Sequence, residues 1–299
     1  MILMKGRLVS CLTGAALTLA GCAGPSPSDG LIHVVVGLYP YAYLAQQIGG
    51  DLVSVENLTR PGAEPHDLEL TARQVAAVQL ADLVIFESSL QPAVDSAVAQ
   101  TRPARALDVT TVVPLEDHPI DDQGDEMSDP HIWLDPIRMS LVATAIKDQL
   151  AAIAPNDAAA FDTNYAVVEA RLSQLDQAYR TGLATCQRTS FITTHAAFGY
   201  LADRYGLTQI AIAGMSPDAE PSPLRIADIQ RLAAQEGITT IFFETLVSPA
   251  LADAIAGDLR LTTDVLDPIE GITDQSRGSD YSEIMMSNLT ALSQANGCR

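Results

Sequence analysis

The sequence predicts an α/β protein made of two parallel-sheet lobes joined by a long rigid helix. Three observations carry the prediction. Short β-branched apolar runs alternate with helical stretches through the first half of the 299-residue chain, the pattern of a parallel sheet covered by helices. One amphipathic stretch then runs from Pro155 to Leu183, with Phe161, Tyr165, Val168, Leu172, Leu175, Tyr179 and Leu183 recurring at spacings of three and four. At about 1.5 Å per residue it reaches roughly 40 Å, the length of a whole domain. Beyond it the strand–helix alternation begins again.

Ile32 to Val36 is an apolar run bounded by Gly37 and reads as a buried strand. Tyr39-Pro40 opens a helix that Gly49-Gly50 stops, and Leu52 to Leu58 alternates as a second strand. The loop from Arg60 to Asp67 is punctuated by Pro61, Gly62 and Pro65 and carries His66. Thr71 caps a helix to Leu80, Leu83 to Phe86 is a third strand, and a helix from Pro92 to Gln100 leads to a strand at Leu107 to Val109. Val113 to Ser128 is acidic and reads as a loop, with His118 inside it. Asp129-Pro130-His131-Ile132-Trp133-Leu134-Asp135-Pro136 follows, holding one of five histidines and the only tryptophan between prolines that restrict the backbone. A helix from Ile137 to Ile153 precedes the long one. In the second half, strands at Ser190 to Thr193, Gln209 to Ala213, Thr240 to Phe243 and Thr263 to Leu266 alternate with helices. These helices run over Ala196 to Tyr205, from Ser222-Pro223 to Glu236, from Ser248-Pro249, and over Tyr281 to Leu292. His195 and Asp267 each sit just past a strand end.

The first residues point to an extracytoplasmic protein. Lys5 and Arg7 precede an apolar run from Leu8 to Ala20, shorter than the roughly 20 residues of a spanning helix. Leu19-Ala20-Gly21-Cys22 reads as a lipobox, which makes 1–21 a signal peptide, Cys22 the lipidated residue and 22–30 a tether. A plain signal peptide with an accidental cysteine is the alternative. The formal charge of −20 argues against a nucleic-acid partner. Once Cys11 leaves with the signal peptide and Cys22 takes the lipid, Cys186 and Cys298 remain. In an oxidising compartment they read as one disulfide, two unpaired buried thiols being the alternative.

His66, His131, His195 and Asp267 share a setting of constrained turns at or near strand ends, where ligands bind in parallel sheets. Three imidazoles and a carboxylate form a closed tetrahedral set that suits Zn²⁺. His33, inside a strand, reads as a core or surface residue, and His118 as a loose auxiliary ligand on the acidic loop.

These motifs resemble a known family. Pro65-His66-Asp67, the segment 129–136, and Thr194-His195-Ala196-Ala197-Phe198-Gly199-Tyr200-Leu201 are similar to the three histidine motifs of the zinc/manganese substrate-binding proteins of bacterial ABC importers, the ZnuA/TroA type. Glu220-Pro221-Ser222-Pro223, Val265-Leu266-Asp267-Pro268, Tyr281 and Met285-Met286-Ser287-Asn288 extend the resemblance over the whole chain after the tether. It implies two pseudo-symmetric lobes, 31–154 and 184–299, with 155–183 as the connecting helix and one metal in the cleft between them. His66, His131 and His195 would be ligands and Asp267 the fourth. It also implies a monomer, anchored to the membrane through its lipid only, that passes metal to a permease and an ATPase on separate chains. Two departures stand out. A short acidic loop with only His118 replaces the histidine-rich loop of many zinc members, and Glu87-Ser88-Ser89 lacks the glycine often found there. Manganese-binding members tend to carry glutamate at the third histidine, so His195 favours Zn²⁺ over Mn²⁺.

Other classes fit less well. A zinc hydrolase keeps a ligand position for water, and no HExxH pattern occurs. Neither a GxGxxG nor a GxxxxGK[ST] nucleotide motif is present. A surface adhesion lipoprotein holding metal for structure fits the lipobox equally well.

Overall fold

Strand and helix alternate as expected, and the strands assemble into two separate four-stranded parallel sheets in a computed structural model that describes residues 30–119, 126–217 and 219–299. The predicted signal peptide and Cys22 lie outside the described residues. Residues 31–299 make one compact unit. In the first sheet β1 (Ile32–Val36), β2 (Val53–Asn57), β3 (Leu83–Phe86) and β4 (Ala106–Asp108) run in the order β2-β1-β3-β4. Helices α1 (Tyr39–Gly49), α2 (Ala72–Leu80) and α3 (Pro92–Thr101) connect them. Local chemistry sets these starts. Thr71 and Gln74 form a reciprocal capping box, and Pro40 and Pro92 occupy first-turn positions where no N–H is needed.

The acidic segment is not a plain loop. β5 (Glu116–Pro119) and β6 (Glu126–Asp129) pair as an antiparallel hairpin. Composition argued for a loop, yet tertiary contacts fix the strands: the Glu116 N–H donates to Tyr200 Oη at 2.8 Å, and the His118 ring is buried edge-on against Tyr200. The turn after β3 also finds its own solution. Ser89 takes φ 76°, the left-handed region usually given to glycine, and Asp95 accepts its N–H at 3.0 Å.

Helix α4 (Pro136–Ile153), capped by Asp135, leads to α5 (Ala158–Gly182), whose 25 residues reach about 38 Å. Its stripe of Phe161, Val168, Leu172, Leu175 and Tyr179 is buried. Asn164 donates to the Ile48 carbonyl of α1 at 3.0 Å, and Tyr179 Oη to the Met285 carbonyl, in the second half of the chain, at 2.7 Å. The helix therefore braces both lobes.

The second sheet contains β7 (Ser190–Thr193), β8 (Thr208–Ala211), β9 (Thr240–Phe243) and β10 (Thr262–Val265), with α6 (Gly199–Tyr205), α7 (Pro223–Glu236), α8 (Ala250–Leu259) and α9 (Tyr281–Asn296). Its order reads β8-β7-β9-β10, the same topology as the first sheet, which is the structural basis of the pseudo-symmetry. The helix expected from Ala196 begins only at Gly199. The Ala196 N–H is taken by the Gly214 carbonyl and the His195 carbonyl accepts from Gln209 and Thr193, so 196–198 bend out of the helix and leave His195 free to turn inward. One continuous apolar core crosses the lobes, holding Tyr41 and Trp133 from one side and Tyr200, Leu266 and Tyr281 from the other. No helix among the described residues is long and apolar enough to cross a membrane.

Cys186 and Cys298 are joined by a disulfide across 112 residues of sequence. The chain-entropy picture gives an upper figure of about 4–5 kcal/mol for such a loop. The C-terminus is already tethered, since Asn296 O accepts the Gln187 and Arg188 N–H groups and Ala295 O the Arg188 guanidinium. The double Cys186→Ser/Cys298→Ser variant should therefore lose less than that limit in a denaturant melt. Thiol titration of denatured, unreduced residues 31–299 should find both cysteines silent; two reactive thiols would contradict the pairing.

Candidate metal centre

The three histidines come from three different constrained turns. His66 follows β2, directly after Pro65 on the loop that Pro61 and Gly62 open, and Gln91 fixes that loop by donating to Pro65 O and to the Thr59 hydroxyl. Gln91 approaches so closely that a Cβ on Gly37 would lie 2.5 Å from its Oε1, which explains the glycine after β1. His131 leads a short 3-10 turn, Ile132–Leu134, ahead of α4. His195 lies just past β7.

The structure brings these imidazoles together with the carboxylate of Glu270, all four donor atoms lying within 4.8 Å of one another. Glu270 Oε1 is 3.4 Å from His66 Nε2, 3.2 Å from His131 Nε2 and 3.7 Å from His195 Nε2. A tetrahedral ion with bonds of about 2.0–2.1 Å holds its donors roughly 3.3 Å apart, so the spacing fits. The three Nε2 atoms and both Glu270 oxygens are buried without a hydrogen-bond partner. Leaving so many polar atoms unsatisfied is costly unless a cation takes them up.

The carboxylate in this cluster is Glu270 and not Asp267. Asp267, expected at that position, is buried but committed elsewhere. Its Oδ1 accepts the Ile269 N–H at 2.8 Å, and its Oδ2 accepts the Ser276 hydroxyl at 2.8 Å and the Thr245 hydroxyl at 3.3 Å. The available cue was that Glu270 stands between Pro268 and Gly271, in the same punctuated turn. What turns it inward is a backbone conformation that residue types do not announce.

Two of the imidazoles are aimed by carboxylates. His131 Nδ1 donates to Asp129 Oδ1 at 2.7 Å, and His195 Nδ1 donates to Glu244 Oε1 at 2.7 Å. A carboxylate only accepts, so the Nδ1 proton is fixed there, and it is the Nε2 that faces the cluster, a lone pair whenever the ring is neutral. Asp129 Oδ2 accepts in turn from His118 Nδ1 at 2.8 Å, and His118 Nε2 lies 3.2 Å from Asp203 Oδ2. His118 is thus buried on a strand with both nitrogens facing carboxylates, not poised on an open loop. Burial alone would lower its pKa; Asp129 and Asp203 outweigh that and raise it. Gly199 allows this packing, since a Cβ there would lie 2.6 Å from the His118 ring and from Asp129 Oδ2.

The electrostatics follow from burial and pairing. Burial would lower the His131 pKa, yet Asp129 and Glu270 overcome it and hold it up at about 9. Burial also opposes the charged form of His195, and Glu244 and Glu270 raise it well above the ordinary value. Glu270 runs the other way: burial pushes it up, and the three histidines carry it well below the carboxylate range. Burial, with the Glu270 charge nearby, pushes Glu64 up to about 8.

Residues 34–295 match the family of the periplasmic zinc-uptake complex component A, ZnuA. The zinc-binding lipoprotein AdcA of Streptococcus pneumoniae is 36% identical over 293 residues, covering 93% of this chain and 58% of that protein, so the chain spans little more than half the length of that relative. The high-affinity zinc uptake system protein ZnuA of Bacillus subtilis is 33% identical over 296 residues, covering 92% of this chain and 93% of its own. The crystal structure of the Zn(II)-bound ZnuA-like domain of Streptococcus pneumoniae AdcA matches with a TM-score of 0.75 at 36% identity, over 89% of this chain and 99% of that one.

A histidine whose pKa is raised in the folded state stabilises the fold below its unfolded value of about 6.5, and that contribution is lost as pH rises through the folded value. The metal-free protein should therefore show a falling Tm between pH 6.5 and about 9, the window set by His131. A divalent cation must displace the same protons, so its affinity should climb through that window. Proton release should be measurable by calorimetry in buffers of differing ionisation enthalpy, and a pH-independent affinity would contradict the protonated cluster.

Proposed function

The chain belongs to the ZnuA family of zinc-uptake components, and on that premise we propose that it binds one Zn²⁺ through His66, His131, His195 and Glu270 and delivers it to an ABC-type importer. The observation that carries the reading is the set of three imidazole nitrogens and one carboxylate, buried together without hydrogen-bond partners. Imidazole suits zinc, and a single carboxylate is a poor match for the oxygen-rich shell that manganese prefers. Four protein donors leave no position for a catalytic water, which supports a carrier over a hydrolase.

The permease and ATPase would be separate chains, and Cys22 would carry the lipid that holds the protein outside the cytoplasm as a monomer. Within the centre, Asp129 and Glu244 keep the His131 and His195 rings in the ligating tautomer. His66 is the one donor with measurable exposure, its side chain 13% accessible against 0% for His131 and 1% for His195. That places the solvent side of the centre at His66.

Trp133 supplies the reporter. It is fully buried, its ring lies edge-on to His131 at 5.2 Å, and its indole N–H reaches the turn that carries Glu270. Zinc should change its fluorescence, saturating at one equivalent and reversing with a chelator, and should outcompete manganese. Alanine at His66, His131, His195 or Glu270 should weaken binding by more than the roughly 10–100-fold typical of losing a supporting residue. His118→Ala should cost less than any of the four. A fluorescence change of the same stoichiometry in the triple-alanine histidine variant would put the metal elsewhere. Zinc that exchanges only on unfolding would speak for a structural ion and against delivery.

A further inference from the structure

We propose that Asp267 is a positioning residue for the metal centre: together with Trp133 of the opposite lobe, it holds the turn at Ile269 that sets the Glu270 carboxylate against the three imidazoles. The proposal rests on the reading that this cluster binds the transported cation.

Ile269 has φ 59°. The other described non-glycine residues with positive φ are Ser89, Arg102 and Arg260. Arg102 and Arg260 are helix C-caps, where the left-handed region is ordinary. Ile269 ends no helix and is β-branched, which makes it an outlier for that region. Such a conformation persists only where its surroundings over-determine it.

The surroundings do so from several directions. The Ile269 N–H is bound by Asp267 Oδ1 at 2.8 Å. The Pro268 carbonyl accepts the Trp133 indole N–H at 2.7 Å, across 135 residues of sequence. The Asp267 backbone is gripped at both ends by the Asn288 amide, at 2.9 Å through N–H and 2.7 Å through C=O. The Ile269 side chain is fully buried in the core shared by the lobes.

None of these bonds touches the Glu270 carboxylate, whose two oxygens have no hydrogen-bond partner. His131 and His195 are aimed by carboxylates outside the cluster, whereas Glu270 meets only the imidazoles themselves, so the backbone that carries it sets its position. That gives Asp267 a purpose unlike the ligand role its place after β10 suggests. Its Oδ1 holds the turn through the Ile269 N–H, and its Oδ2 is occupied by the Ser276 and Thr245 hydroxyls, which fix the carboxylate in place. Trp133 then couples the two lobes at the centre, since one indole packs edge-on against His131 and anchors the Glu270 turn.

The test compares wild type, Asp267→Asn, Asp267→Ala, Trp133→Phe and Glu270→Gln in the full chain, using Zn²⁺ affinity and the visible absorption spectrum of the Co²⁺ form. Asparagine retains an oxygen that can accept the Ile269 N–H. Asp267→Asn should therefore bind zinc within a few-fold of wild type and keep its cobalt spectrum. Asp267→Ala should lose about 10–100-fold, the range for supporting residues, with its spectrum shifted toward that of Glu270→Gln. Trp133→Phe keeps an aromatic ring but frees the Pro268 carbonyl, and should shift the spectrum in the same direction; it stands in if the alanine variant does not fold. An Asp267→Asn variant as impaired as the alanine one, with a spectrum unlike Glu270→Gln, would make Asp267 itself a ligand and overturn the proposal, as would wild-type affinity in Asp267→Ala. A wild-type chain that takes up neither metal would instead overturn the metal-site reading, before any variant is compared.

Discussion

Three imidazole nitrogens and a carboxylate are buried face to face where two lobes meet, with no hydrogen-bond partner and only one another for charge. Burying unpaired polar and charged groups opposes folding, and removing one member of such a set leaves the others worse off. The fold supplies the opposing forces around the rim. Asp129 and Glu244 hold two rings, Gln91 holds the loop of the third, and Asn288 and Trp133 hold the turn of the fourth donor. Without a cation His131 and His195, whose pKa values are raised, pair as protonated rings with Glu270, so these groups remain together as ion pairs. A metal replaces protons at positions that are already set.

The position of the centre depends on how tightly the lobes are joined. Their sheets share a topology, and beside an apolar cluster private to each lobe a common core joins them, with Tyr41, Trp133, Tyr200 and Tyr281 in one cluster. Polar contacts reinforce it. Tyr281 Oη donates to the Trp133 carbonyl at 2.6 Å, Tyr200 Oη to the Asp129 carbonyl at 2.8 Å, and the Arg204 guanidinium to Asp135 Oδ2. Each of these crosses from the segment 129–136 to the second half of the chain. The proline-bounded motif that carries His131 is thus also the mechanical joint between the lobes, and α5 adds a brace on the far side.

The acidic hairpin takes a place in the same network. It supplies the strand that carries Asp129, whose two oxygens serve His131 on one side and His118 on the other. The hairpin therefore supports the His131 ring through a carboxylate.

Residue types and their spacing determined the strand–helix alternation, the long buried stripe of α5, the capping of α2, and the three histidine turns, because each depends on local backbone preference and apolar periodicity. The pairing of Cys186 with Cys298 was legible from elimination among four cysteines. The sequence could not separate Asp267 from Glu270, since both are acids in one punctuated turn after a strand. Only the tertiary structure decided it: an indole from the other lobe and an amide from α9 hold Ile269 in a conformation it would not choose alone, and Glu270 faces the imidazoles while Asp267 gives Oδ1 to the Ile269 N–H and Oδ2 to the Ser276 and Thr245 hydroxyls. The hairpin escaped the sequence for the same reason, because acidic composition predicts solvation while the packing of His118 against Tyr200 and Asp129 is a long-range contact that no local pattern contains.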